Sequence, residues 1–178
     1  MIRFTNFKGG FTLIELLVTV AIIGILSSIV YGSFGGARAQ ARDDIRRSDL
    51  KELQLAVELY KAQTGSYPTQ GCGSSSNDSS WAGPGPGSSS FNSCSDYIVG
   101  LVPDYIAKLP TDPKSENENS KGFYYNTDGV SYKIMVHDSV EKKTISSNTD
   151  EFARCPTSTC GGILTNTYAV YSFGAEDW

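Results

Sequence analysis

A single histidine, His137, occurs in the 178 residues, and methionine and tryptophan appear only twice each. His137 falls in an expected strand with no nucleophile paired to it, so the parts for ordinary acid–base or nucleophilic catalysis are missing and the sequence argues against an enzyme. Cysteine is also scarce. Cys72, Cys94, Cys155 and Cys160 show neither the two-residue spacing nor the neighbouring histidine of a zinc site. A basic surplus is absent as well. Fifteen Lys and Arg face nineteen Asp and Glu, a net charge of −4, which falls to −6 once residues 1–10 are set aside with Arg3 and Lys8. Such an acidic chain is not suited to nucleic acid as its main partner. Finally, charge itself disappears between Lys8 and Arg38, where Glu15 stands alone.

That uncharged stretch contains residues 11–31, FTLIELLVTVAIIGILSSIVY. About twenty apolar residues form a helix of roughly 30 Å, the thickness of a bilayer core. Arg3 and Lys8 precede it and no base follows it directly, so residues 1–10 are expected in the cytoplasm and the remainder outside. The expected topology is single-pass, in the inner membrane. A secretory signal peptide is the competing reading, with Ala37-Arg38-Ala39 and Ala39-Gln40-Ala41 as its candidate cut sites. The run is longer than a signal core of about 7–15 residues, and a signal core gains nothing from Glu15.

The helical pattern continues to Thr64, where Gly65 and then Pro68 end it. Leu50, Leu53, Val57 and Tyr60 make one stripe of the wheel, while Leu55, Leu59 and Ala62 fall on the opposite side. Two apolar sides imply two partners: the chain's own outer domain and a second subunit, or else a helix sunk deep in its own core. Residues 65–95 are a Gly/Ser-rich loop, with no regular element expected over 71–95; Asn77-Asp78-Ser79 within it matches a glycosylation sequon. The cysteines lie in polar, turn-rich surroundings beyond the apolar run, as in an exported, oxidised domain. Three connectivities are open to four cysteines, and Cys72–Cys94 with Cys155–Cys160 is the preferred one. Over 96–178 the pattern predicts a short helix near Asp96–Val102, a hairpin of Phe123–Asn126 and Val130–His137 around Asp128-Gly129, and a third strand at Tyr168–Phe173. Tyr132, Ile134 and Val136 share one face of it, and Lys133, Met135 and His137 the other. The fold class is α+β: a long N-terminal helix packed on a C-terminal antiparallel sheet.

Lys8-Gly9-Gly10-Phe11-Thr12-Leu13-Ile14-Glu15-Leu16-Leu17-Val18 closely resembles the cleavage and methylation signal of type IV pilins and type II secretion pseudopilins. The resemblance implies a leader of residues 1–10, an assembly helix over 11–31 and its amphipathic continuation over 32–64. It implies a membrane prepilin peptidase that cuts after Gly10 and methylates Phe11. Tyr105 to Pro113, with Leu109-Pro110-Thr111-Asp112-Pro113, and Tyr171-Ser172-Phe173-Gly174-Ala175-Glu176-Asp177 look more weakly like the major pseudopilin pattern. In that subfamily a late loop often holds calcium, which makes Asp150, Glu151, Glu176 and Asp177 candidate ligands; no other cofactor is implied.

The resulting expectation is a structural subunit of a pilus-like filament, an extracellular or periplasmic homopolymer built by inner-membrane assembly machinery from subunits stored in lipid. A secretion pseudopilin is the alternative, and a membrane-anchored binding protein that never polymerises is the third reading. A carboxylate inside the bilayer needs a partner. Cutting at Gly10 creates one, the α-amino group of Phe11, which on one subunit can pair with Glu15 of its neighbour.

Overall fold

The computed structural model describes residues 10–72, 81–85, 91–114, 121–156, 160 and 162–178, apart from the side chains of residues 29, 30, 32 and 33. Residues 1–9 of the leader and the sequon at Asn77 lie outside them. The chain divides into two compact units, Met1–Arg38 and Ala39–Trp178. One helix, α1 (Leu13–Thr64), passes through both, followed by β1 (Trp81–Gly83), β2 (Phe91–Ser93), β3 (Gly122–Thr127), β4 (Tyr132–His137) and β5 (Tyr168–Tyr171).

In the second unit the stripe read from the sequence faces inward. Leu50, Leu53 and Val57 are fully buried and Tyr60 packs partly against them, whereas Leu55 remains 61% and Leu59 45% exposed. The helix is therefore not sunk in its own core; its second apolar side is free. Gly65 ends it in the left-handed region (φ 88°), with its amide donating to the Lys61 carbonyl at 2.8 Å. A side chain there would be strained, which is why glycine stops this helix.

Against the buried stripe lies a five-stranded sheet of order β2-β1-β3-β4-β5. All pairs are antiparallel except β1 with β2, so the expected antiparallel sheet carries one parallel pair at its edge. Phe123 opposite Val136 and Tyr125 opposite Ile134 set the hairpin register, and Tyr168 and Val170 extend the same face on β5. The turn is wider than a two-residue loop. Asp128 Oδ1 accepts the amides of Val130 (2.8 Å) and Ser131 (2.6 Å), drawing both residues out of the strand expected to begin at Val130.

Two expectations for the intervening loops need correction. Residues 71–95 do carry regular structure, since β1 and β2 fall within them. Asp96–Val102 is not helical: Ile98 bridges to Gln70, and Gly100 at φ 85° breaks the turn that would have to continue. The outer face of the sheet is also covered rather than wet. Trp81, Tyr124, Met135 and Ala169 form a second buried cluster, joined by Phe91, Tyr171 and Trp178. Lys133 is buried with them, its ammonium donating to the carbonyls of Glu176 (2.9 Å) and Trp178 (3.0 Å).

Both disulfides follow the preferred pairing. Cys72–Cys94 spans Cα atoms 5.4 Å apart and Cys155–Cys160 spans 6.0 Å. The first clips the loop that delivers β1 and β2, and closing a loop of that size is worth about 3 kcal/mol.

Gly83 shows how tightly β1 is seated. A Cβ at this position would collide with the carbonyl oxygen of Phe123 and the ring of Tyr124, both fixed in the sheet. Gly83→Ala is expected to lower stability by about 1–3 kcal/mol, read as a shifted urea midpoint. An unchanged midpoint would mean that β1 is not docked on β3 as described.

Candidate functional site

In the first unit the start of α1 carries a reciprocal set of hydrogen bonds. Thr12 stands just before α1 and Glu15 three residues later. The backbone amide of Thr12 (2.9 Å) and its hydroxyl (2.7 Å) both donate to Glu15 Oε2, and the Glu15 amide donates to Thr12 Oγ1 at 3.3 Å. This reciprocal arrangement is a capping box, in which Ser or Thr and a Glu three residues on satisfy each other's orphan amides. The Thr-x-x-Glu signal is present in the sequence, where the reading of Glu15 as a membrane carboxylate and assembly partner of Phe11 passes over it. Among the described residues no donor reaches Oε1 of Glu15, which leaves that oxygen available.

Around this box the surface is apolar on every side. Phe11 is 86%, Leu13 81% and Ile14 70% exposed, and Leu16, Leu17, Val20, Ile22, Ile23, Ile25 and Leu26 are exposed with them. A helix hydrophobic all round requires lipid or other helices as its surroundings. Two of its hydroxyls are prepared for that setting. Thr19 Oγ1 donates to the Leu16 carbonyl at 2.9 Å and Ser28 Oγ to the Ile25 carbonyl at 2.7 Å, so neither needs water. Among the described residues no helix is long and apolar enough to cross a membrane. The part of the apolar run described without interruption is residues 11–28, because the side chains of residues 29 and 30 fall outside the description. Gly10 lies just ahead of the box in open space: a Cβ there would meet nothing within 4 Å.

The second unit contains a buried ion cluster that the sequence did not reveal. Arg46, Asp43 and Asp112 are essentially without solvent contact. Arg46 grips Asp112 with a two-pronged contact, Nε to Oδ2 at 2.6 Å and Nη2 to Oδ1 at 3.0 Å, while its Nη1 reaches Asp43 at 2.8 Å and Glu141 at 3.1 Å. Asp43 also accepts the backbone amides of Glu141, Lys142 and Lys143, the closest at 2.7 Å. Burial works against the Asp43 charge, yet these three amides and Arg46 hold its pKa below the usual carboxylate value. Glu141 is held low by Arg42 first, then by Lys114 and Arg46 against its partial burial. For Arg46, desolvation is outweighed by its three carboxylates, which raise its pKa further. The cluster ties α1 to the Leu109–Pro113 segment and to the chain after β4, and it leaves no carboxylate free for chemistry.

Among the described residues no three of the candidate calcium ligands Asp150, Glu151, Glu176 and Asp177 bring their carboxylates together. Asp150 Oδ1 accepts the Phe152 amide at 3.0 Å, Glu151 pairs with Lys51 at 2.9 Å, and Glu176 Oε2 accepts the Gly174 amide at 2.7 Å. Among the described residues the one trio able to offer converging ligand atoms is Cys155, Cys160 and Asp177, and both of its sulfurs belong to a disulfide. His137 stacks 5.1 Å from the ring of Phe91, in the outer sheet face.

Comparison with known proteins agrees with this geometry. Residues 5–31 match the family model described as "Prokaryotic N-terminal methylation motif". The chain is 32% identical to the type II secretion system core protein G of Escherichia coli (strain K12) over 111 residues, which is 62% of this chain and 70% of that one. It is 35% identical over 108 residues to the protein of the same name from Aeromonas hydrophila, covering 60% of this chain and 67% of the relative. The Vibrio cholerae protein is 33% identical over 106 residues, 60% of this chain and 65% of its own length. No solved structure matches the chain. A prepilin-type start, an α+β outer domain and relatives that extend the likeness well beyond the first helix lead to one conclusion: the chain belongs to the type IV pilin and type II secretion pseudopilin family, the family of the core protein G filament subunits.

Proposed function

We propose that this filament subunit is made as a membrane-held precursor, cut between Gly10 and Phe11, methylated on Phe11, and polymerised through the first half of α1. The observation that carries the reading is the exposed, wholly apolar helix whose single charge, Glu15, is held at its start, four residues from the nascent terminus at Phe11. Gly10 sits before it with nothing crowding its backbone, as a peptidase requires. The apolar sequence from Phe11 to Tyr31 is long enough to hold the precursor across the inner membrane once, with the oxidised domain outside. A prepilin peptidase and inner-membrane assembly machinery are the partners this route requires.

Mass spectrometry of protein extracted from membranes tests the route. The expected N-terminal peptide begins at Phe11 and carries one methyl group, and Gly10→Glu should leave the precursor uncut at full length. A mature chain that instead begins after Ala39 or Ala41 would mean that the apolar run is a signal peptide, and the proposal would fall. The similarity to core protein G favours a second, narrower reading, a secretion pseudopilin. Deleting the gene should then stop export of folded proteins while surface fibres, if the cell makes any, persist.

A further inference from the structure

Phe173 is the most exposed large apolar residue described, at 94%. Its backbone is nonetheless fixed. The Ser172 amide donates to the Tyr132 carbonyl at 3.0 Å, the Tyr132 amide to Ser172 Oγ at 2.9 Å, and Ser131 Oγ to the Phe173 carbonyl at 3.0 Å. Gly174 follows at φ 92°, with its amide on Glu176 Oε2. Beside this corner, Val130 is 73% exposed on the β3–β4 turn, and Lys61 donates to its carbonyl at 3.3 Å. Ordering costs are the usual tax on binding, and here the aromatic ring stands in water on backbone that folding has already ordered. An exposed aromatic on rigid backbone is the kind of residue that dominates an interface.

A second apolar surface on the same unit also lacks a partner. Leu55, Leu59 and Ala62 lie on the side of α1 away from the core, all exposed. At about 100° per residue, Lys61, which reaches to the Phe173 corner, sits roughly 120° round the helix from Leu55. The corner and the stripe thus occupy different sides, so one two-fold contact does not cover both. A patch that meets a different patch on an identical molecule makes a head-to-tail contact, which propagates into an open helical filament. The stripe also lies on α1, the same helix whose first half carries the proposed polymerisation.

We infer that Phe173 and Val130 of one subunit dock on the Leu55, Leu59 and Ala62 face of the next copy of the chain in the filament. The contact rests on the filament reading above and adds a second interface to it, between outer domains.

The test uses the full chain in its assembling host. Phe173→Ser changes a fully exposed side chain, so membrane level, processing and melting temperature should be those of the wild type. Filament yield should collapse, since a hot-spot aromatic is worth about thirtyfold per contact, or about 2 kcal/mol. Leu59→Glu should reproduce the defect. A chain carrying both Val130→Cys, close in size to valine and beside Phe173, and Glu52→Cys, exposed on α1 two turns before Leu59, keeps Phe173, Leu55 and Leu59 and, treated with a short bis-maleimide, should give a ladder of covalent dimers, trimers and longer species. Either single cysteine alone should give none. Dimers from Val130→Cys alone would indicate a two-fold contact, and a product with a protein of another mass would indicate a different partner; both overturn the inference. Filaments from the double variant without a ladder also overturn it while leaving the filament reading intact. If the wild-type chain forms no filaments, that reading and this contact fail together.

Discussion

Arg46→Ala is expected to cost the outer domain about 3–5 kcal/mol, because it takes the guanidinium away from two buried carboxylates, Asp43 and Asp112. Asp112 loses both prongs of its contact with Arg46, and Asp43 loses the one side-chain cation hydrogen-bonded to it among the described residues; both carboxylates are buried. For a unit of this size such a loss lowers the melting temperature by on the order of 10 °C. Arg46→Lys should fall in between, since it keeps the charge but not the planar fork. The pH dependence gives a second readout. Asp43 and Glu141 have pKa values depressed by folding, so their contribution is fully present above the unfolded carboxylate range near 4 and is lost as pH falls toward their folded values. In Arg46→Ala the penalty comes from buried carboxylates that keep their backbone amides but have lost their guanidinium, and protonation relieves it. The gap between wild type and variant should therefore narrow on acidification. Urea melts from pH 7 to pH 4 measure this directly. A gap below 1 kcal/mol at pH 7 would mean that water already reaches the cluster.

Why this cluster escaped the sequence while the assembly segment did not is a matter of range. Gly10, Phe11, Thr12 and Glu15 lie within six positions, and the apolar run after them signals its own environment. The hairpin is local too, with Asp128-Gly129 at its centre and strict alternation through Ile134 and Val136. Arg46 and Asp112, in contrast, are 66 residues apart, and Asp43 meets the Glu141 amide across 98. Each reads as an ordinary surface charge until the fold brings it inside. Strands β1 and β2 were hidden for another reason. Trp-Ala-Gly and Phe-Asn-Ser are too short for periodicity to show, and they become strands by pairing with each other and with Tyr125. Lys133 alternates as an outward residue should, and only the arrival of Trp178 and its neighbours covers it. Thr12 is different again. Its capping partner was within reach of a purely local rule, which the more conspicuous cost of a charge in lipid obscured.

The last expectation concerns that charge. Glu15→Ala removes the only carboxylate of the apolar segment but keeps the Gly10 cut site and the outer domain, so insertion and processing should survive. Polymerisation should not. Packed among apolar helices, the new α-amino group of Phe11 would be left without a counter-ion, a loss of about 3–5 kcal/mol per subunit and enough to weaken association a hundredfold or more. The capping box offers a rival explanation, because Glu15 also satisfies Thr12 and a frayed helix start could itself impair packing. Glu15→Gln separates the two. Glutamine serves in a capping box as glutamate does but carries no charge, so the helix start is retained and the ion pair is not. If charge pairing drives assembly, Glu15→Gln and Glu15→Ala should be equally unable to form filaments, and both should accumulate as mature-sized chains on an immunoblot. Gly10→Glu should differ from both by accumulating as uncut precursor. Normal filaments from Glu15→Gln would assign the role of Glu15 to capping, and normal filaments from Glu15→Ala would remove it from assembly altogether.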